Sequence, residues 1–64
     1  MQISGIKAGM MEAQGLGAFQ QKGKLIEFRD NAGRLVAQWF AATSKDASQQ
    51  IRLFRAAPKH LEAA

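Results

Sequence analysis

Between Lys24 and Ala42, hydrophobic and polar positions alternate on either side of a short polar break, Asp30-Asn31-Ala32-Gly33. A period of two marks half-buried strands, and the break carries turn chemistry: Asp and Asn hydrogen-bond their own backbone, and Gly accepts positive φ. The pattern predicts a β-hairpin. With a four-residue loop, Phe28 faces Leu35 and Ile26 faces Ala37. Ile26, Phe28, Leu35, Ala37 and Trp39 then share one face, and Leu25, Glu27, Arg29, Val36, Gln38 and Phe40 the other. A three-residue loop moves the register by one and mixes the two sets, and the sequence leaves both open.

Upstream, Leu16 to Gln21 followed by Lys22-Gly23 predicts another strand that pairs with residues 24–30 and makes a meander. Residues 1–14 carry two competing patterns. Gln2 to Lys7 reads as a fourth, edge strand, while Ile6, Met10, Ala13 and Leu16 fall at helical spacing. Gly5, Gly9, Gly15 and Gly17 each cost a helix about 1 kcal/mol relative to Ala, which favours strand plus loop here.

After residue 42 the period changes. Thr43-Ser-Lys-Asp46 fits a capping box and opens a helix over about 44–57. Ala47, Ile51, Phe54 and Ala57 recur on one stripe, and Lys45, Ser48, Arg52 and Arg55 occupy the other side. Pro58 is expected to stop the helix, with 59–64 a frayed tail or one further short turn. The predicted class is α+β: an antiparallel meander of three strands, or four with the N-terminal segment, and one C-terminal helix packed on one face.

Composition fixes the scale. A chain of 64 residues with 47% hydrophobic content supports one domain, residues 1–64, with one core. Such chains bury only about 60% of their unfolded surface, which makes oligomerisation an expected source of further burial. There is no cysteine and one histidine, His60, so disulfides and a typical zinc set are outside the chain's chemistry. No cationic leader and no apolar run of about 18 residues stands in the sequence, and a soluble, cytoplasmic protein is the expectation.

Nine Lys and Arg against five Asp and Glu give +4, spread along the chain rather than gathered in a run. That surplus suits solubility, and it also attracts nucleic acid or acidic proteins.

Candidate catalytic chemistry is thin. Gly15-Leu16-Gly17 begins a dinucleotide-type glycine motif, but Gln20 stands where the third glycine belongs. The serines have no positioned base, and His60 falls in the expected tail. Glu27 and Asp30 read as solvated charges beside cations, Met10-Met11 as core filler, and Trp39 as a core anchor before a base-stacking platform or hot spot. No enzyme, cofactor, metal or small-molecule substrate is expected.

Phe28-Arg-Asp-Asn-Ala-Gly-Arg-Leu-Val-Ala37, then Asp46-Ala and Ile51-Arg-Leu-Phe-Arg-Ala-Ala-Pro-Lys-His-Leu-Glu-Ala63, resembles a segment of small phage and prophage accessory proteins. In these a "D-x-x-G-x-x-V-A" hairpin leads into an Ala-rich "RLIAAAPELLEA"-like helix. The likeness covers about residues 26–63; Gln49-Gln50, Phe54 and Lys59-His60 depart from the pattern. It implies a mobile-element origin and carries no functional residue. Three strands followed by a Thr-capped helix also resembles the small DNA-binding domains of phage-type integrases and AP2-like proteins. That likeness implies DNA contact through Lys24, Arg29, Arg34 and Trp39, and it requires Arg29 and Trp39 on one face.

Two functional expectations follow. The first is a non-enzymatic interaction module, self-associating as a homodimer, with Leu25, Val36, Phe40 and Trp39 at its surface. The alternative is a small basic DNA- or RNA-binding domain using Lys24, Arg29, Arg34, Arg52 and Arg55.

Overall fold

The computed structural model describes the backbone of residues 3–63 and the side chains of residues 3–57. Its elements are α1 (Gly5–Ala13), β1 (Gly17–Lys22), β2 (Leu25–Asp30), β3 (Leu35–Phe40) and α2 (Ser44–Ala63). The strands form one antiparallel sheet in the order β1-β2-β3, the expected α+β meander, with a second helix added at its front.

That second helix corrects the strand-plus-loop expectation for the N-terminal segment. Ser4 caps α1, its hydroxyl accepting from the Lys7 amide at 3.1 Å. The glycines counted against a helix serve its ends and its packing. Gly15, at φ 77°, closes α1 in a Schellman motif, with the Gly15 amide on the Glu12 carbonyl (3.0 Å) and the Leu16 amide on the Met11 carbonyl (2.8 Å). Gly9 lies against the backbone carbonyl of Phe54, and Gly5 against the Phe54 ring, so closely that a Cβ at either would collide. Helix propensity lost at these two positions is returned as close approach of α1 to α2.

The C-terminal helix begins as read: Thr43 Oγ1 accepts from the Asp46 amide at 3.1 Å. It does not stop at Pro58, and its backbone continues to Ala63. Proline removes one amide donor from a helix, and the carbonyl four residues back loses its partner. At this position that carbonyl belongs to Phe54, the one Gly9 faces, so the close α1 crossing falls where the helix has a spare acceptor.

Two irregularities set the hairpin register. Asp30 and Arg34 close a three-residue loop, the Asp30 amide on the Arg34 carbonyl and the Gly33 amide on the Asp30 carbonyl, both at 3.0 Å, with Gly33 at φ 83°. Arg29 therefore faces Leu35, one step from the four-residue expectation. A bulge between Phe28 and Arg29 adds a second step, after which Phe28 faces Ala37 and Ile26 faces Trp39. Two one-residue shifts restore the parity, so Ile26, Phe28, Ala37 and Trp39 share a face as the pattern predicted, although their partners differ. Leu35 and Val36 exchange roles: Leu35 stands 45% exposed, while Val36 packs against the core.

Both helices cover this face. Ala8 from α1 and Ala47 and Ile51 from α2 bury against Phe19, Ile26, Phe28 and Ala37. Phe54 stacks on Phe19 at 5.9 Å and leans on Trp39 at 5.5 Å between ring centroids.

Candidate functional site

With the helices on one side, the other side of the sheet is a platform of three cross-strand rows. Lys22, Leu25 and Phe40 form the first, Gln20, Glu27 and Gln38 the second, and Ala18, Arg29 and Leu35 the third. Phe40 is 68% exposed, and Leu25, half-buried, is its direct cross-strand neighbour. The Phe40 ring and Leu25 together leave an apolar patch in water at a sheet margin.

The middle row overturns the solvated-charge reading of Glu27. Its residue exposure is 5%, on the face that carries no helix, because long neighbours lie over it. Arg29 reaches Oε2 at 3.3 Å and the Lys22 ammonium stands 3.4 Å from Oε1, a contact of ion-pair kind without a hydrogen bond. Arg29 also donates to the Gly33 carbonyl at 3.0 Å, which ties the charge pair to the hairpin loop. In that loop Asp30 accepts from the Ala32 and Arg34 amides at 3.0 Å each, and the Arg34 guanidinium lies 3.4 Å away. The Arg34 amide is the main reason that the Asp30 carboxyl sits below its ordinary range; desolvation opposes it, and the Ala32 amide and the Arg34 guanidinium add to the lowering.

A second polar constellation joins three elements on the helical side. Glu12 of α1 accepts from the Phe19 amide of β1 at 2.9 Å and from Arg55 of α2, whose Nε is 2.7 Å and Nη2 3.3 Å away. The same guanidinium lies over the Phe19 ring, 5.8 Å from its centroid. Burial pushes the Glu12 carboxyl up, but the Arg55 hydrogen bond, the Phe19 amide and the Arg55 charge outweigh it and hold the group below 4.5.

The sequence-derived candidates scatter over these surfaces. Leu25 and Phe40 meet on the platform, whereas Val36 packs into the core at the bulge. Trp39 points to the helical side, against Phe54 and Phe19. Arg29 faces the platform, so Arg29 and Trp39 lie on opposite faces and the arrangement needed for sheet-face DNA reading is not formed. Lys24 sits in the two-residue turn between β1 and β2, and Arg34 in the hairpin loop. Arg52 and Arg55 belong to α2, in the other layer. Nothing local in the sequence marks Glu12, Gln21 and Ser48, whose partners in other elements include ones between 7 and 43 residues away along the chain. For Glu27, a carboxylate at the centre of an apolar-flanked strand between Lys22 and Arg29 was the available signal.

Among the described residues no group of three or more His, Cys, Asp or Glu could hold a metal ion, and no helix is long and apolar enough to cross a membrane. No family model, curated protein or solved structure matches the chain.

Proposed function

We propose that this protein is a phage-type accessory module that acts without chemistry of its own, by docking the helix-free face of its sheet on another protein, in the first instance a second copy of itself. The exposed Phe40 ring beside Leu25 carries this reading. Packing two such faces would bury both Phe40 rings together with Leu25 and Leu35, area that a chain of 64 residues lacks in its own core. The Lys22–Glu27–Arg29 cluster between them is already neutralised to a single positive charge, so the centre of the face resists desolvation less than three separate ions would.

The nucleic-acid reading has less support. Of its five candidate cations, Arg29, Arg34 and Arg55 are each committed to a carboxylate, and Arg52 and Arg55 stand on a different layer from Lys24, Arg29 and Arg34.

Sedimentation equilibrium at chain concentrations from about 10 µM to about 1 mM tests the proposal, because self-association follows mass action. The mass is expected to rise from one chain to two, and Phe40→Asp to hold it at one with an unchanged circular dichroism spectrum. A single-chain mass throughout the range for the unaltered protein would refute self-association.

A further inference from the structure

The groove between β1 and α2 is a separate surface, on the helical side, and its chemistry does not depend on the sheet platform. It has a volume of about 300 Å³ and is lined by Phe19, Gln21, Ser48, Ile51, Arg52 and Arg55. From its geometry we propose that it binds the C-terminal carboxylate of a peptide that ends in an apolar residue.

Three observations combine. First, the walls are held in place by bonds within the fold. Gln21 Nε2 donates to the Gly23 carbonyl at 2.8 Å and the Ser44 carbonyl at 2.9 Å, and Gln21 Oε1 accepts from the Ser48 hydroxyl at 2.9 Å. A preset wall loses little freedom when a ligand arrives.

Second, the donors left over are cationic. Arg55 spends Nε and Nη2 on Glu12, and its Nη1 has no hydrogen bond among the described residues. Arg52, three residues earlier on the same helix, makes no ion pair or hydrogen bond among the described residues. Residues three apart are neighbours on a helix surface, so the two guanidinium groups flank one mouth. Guanidinium donors match the two oxygens of a carboxylate.

Third, the charge count selects the class of anion. Arg52 and Arg55 contribute two positive charges and Glu12 one negative, leaving the groove at +1. A monoanion neutralises this and a phosphate dianion overshoots it, while the Phe19 and Ile51 side chains at the floor accept a short apolar body.

The test is a titration of the ¹⁵N-labelled protein, followed by amide shifts, with N-acetylleucine, N-acetylleucine amide and inorganic phosphate. Each is taken to about 10 mM, above the millimolar affinity that a single such contact supplies. Saturable shifts are expected at Gln21, Ser48, Ile51, Arg52 and Arg55 with the acid and not with the amide. Arg52→Gln, at an exposed position, is expected to weaken the acid about tenfold, as loss of a charge-assisted hydrogen bond does, with the melting temperature unchanged. Equal binding of acid and amide, tighter binding of phosphate, no saturable shift, or full affinity in Arg52→Gln would each overturn the assignment. None of these results depends on whether the sheet face self-associates.

Discussion

Single atoms decide several features of this fold. At Gly9 the missing Cβ matters more than the helix propensity it costs, since the space belongs to the Phe54 carbonyl. Gly9→Ala should therefore destabilise the protein by about 1–3 kcal/mol in urea unfolding, the usual penalty of overpacking, instead of gaining the ~1 kcal/mol that an exposed helical site would show. A gain in the midpoint would mean that the crossing is looser than described. At Glu12 the carboxylate bridges α1, β1 and α2, and its folded-state pKa lies below 4.5. A depressed carboxylate stabilises the fold above its unfolded pKa, and that contribution is lost as pH falls through the lower, folded value. Stability should thus decline on acidification below about pH 4.5. Glu12→Gln should be weaker than the parent by about 1–2 kcal/mol at pH 7, with the gap closing in acid. Parallel stability curves from pH 7 to pH 3 would remove Glu12 from this role.

For the elements, register is the sensitive quantity. The three-residue loop moves β3 by one position and the Val36 bulge moves it by another, and only their sum keeps Ala37 and Trp39 toward the helices. Deleting Val36 removes the extra residue and leaves Ala37 to Phe40 paired as before, so it should cost its packing, about 1–2 kcal/mol. Deleting Gln38 turns Trp39 onto the platform and Phe40 into the core, and should cost more than about 3 kcal/mol or abolish folding. Thermal unfolding of the two deletions orders them, and equal losses would contradict the assigned pairing. The start of α2 is the helix boundary that is legible in the sequence. Thr43 opens α2 because its hydroxyl meets the Asp46 amide, and Thr43→Ala should lower stability by about 1 kcal/mol. The far end runs past Pro58, a local breaker by its own chemistry, where the neighbouring helix meets the Phe54 carbonyl.

On the scale of the whole molecule, a single small core leaves stability sensitive to any added burial. If the sheet faces pair, the melting temperature should rise with protein concentration, because only the folded chain associates; Phe40→Asp should remove that dependence. Nucleic-acid binding carries a different signature. Its affinity would fall by roughly 0.9 log units per log unit of salt for every phosphate neutralised, and anisotropy titrations at two salt concentrations would expose it. The split of the cations between two layers and the ion pairs of Arg29, Arg34 and Arg55 predict no such slope.

The sequence by itself determined what depends on near neighbours: three strands from alternation, the hairpin from Asp30 to Gly33, the start of α2 from Thr43, and an α+β class from the change of period. Tertiary structure decided what depends on partners far along the chain. It made α1 a helix by giving Gly5 and Gly9 a neighbour to approach, and it buried Glu27 on the face without helices under Lys22 and Arg29. It also joined Glu12 to Arg55 and Gln21 to Ser48 around one groove. Local propensities are worth a kcal/mol or so, and a well-placed contact with another element is worth as much, so residues with no strong preference of their own take the conformation and role that the contact selects.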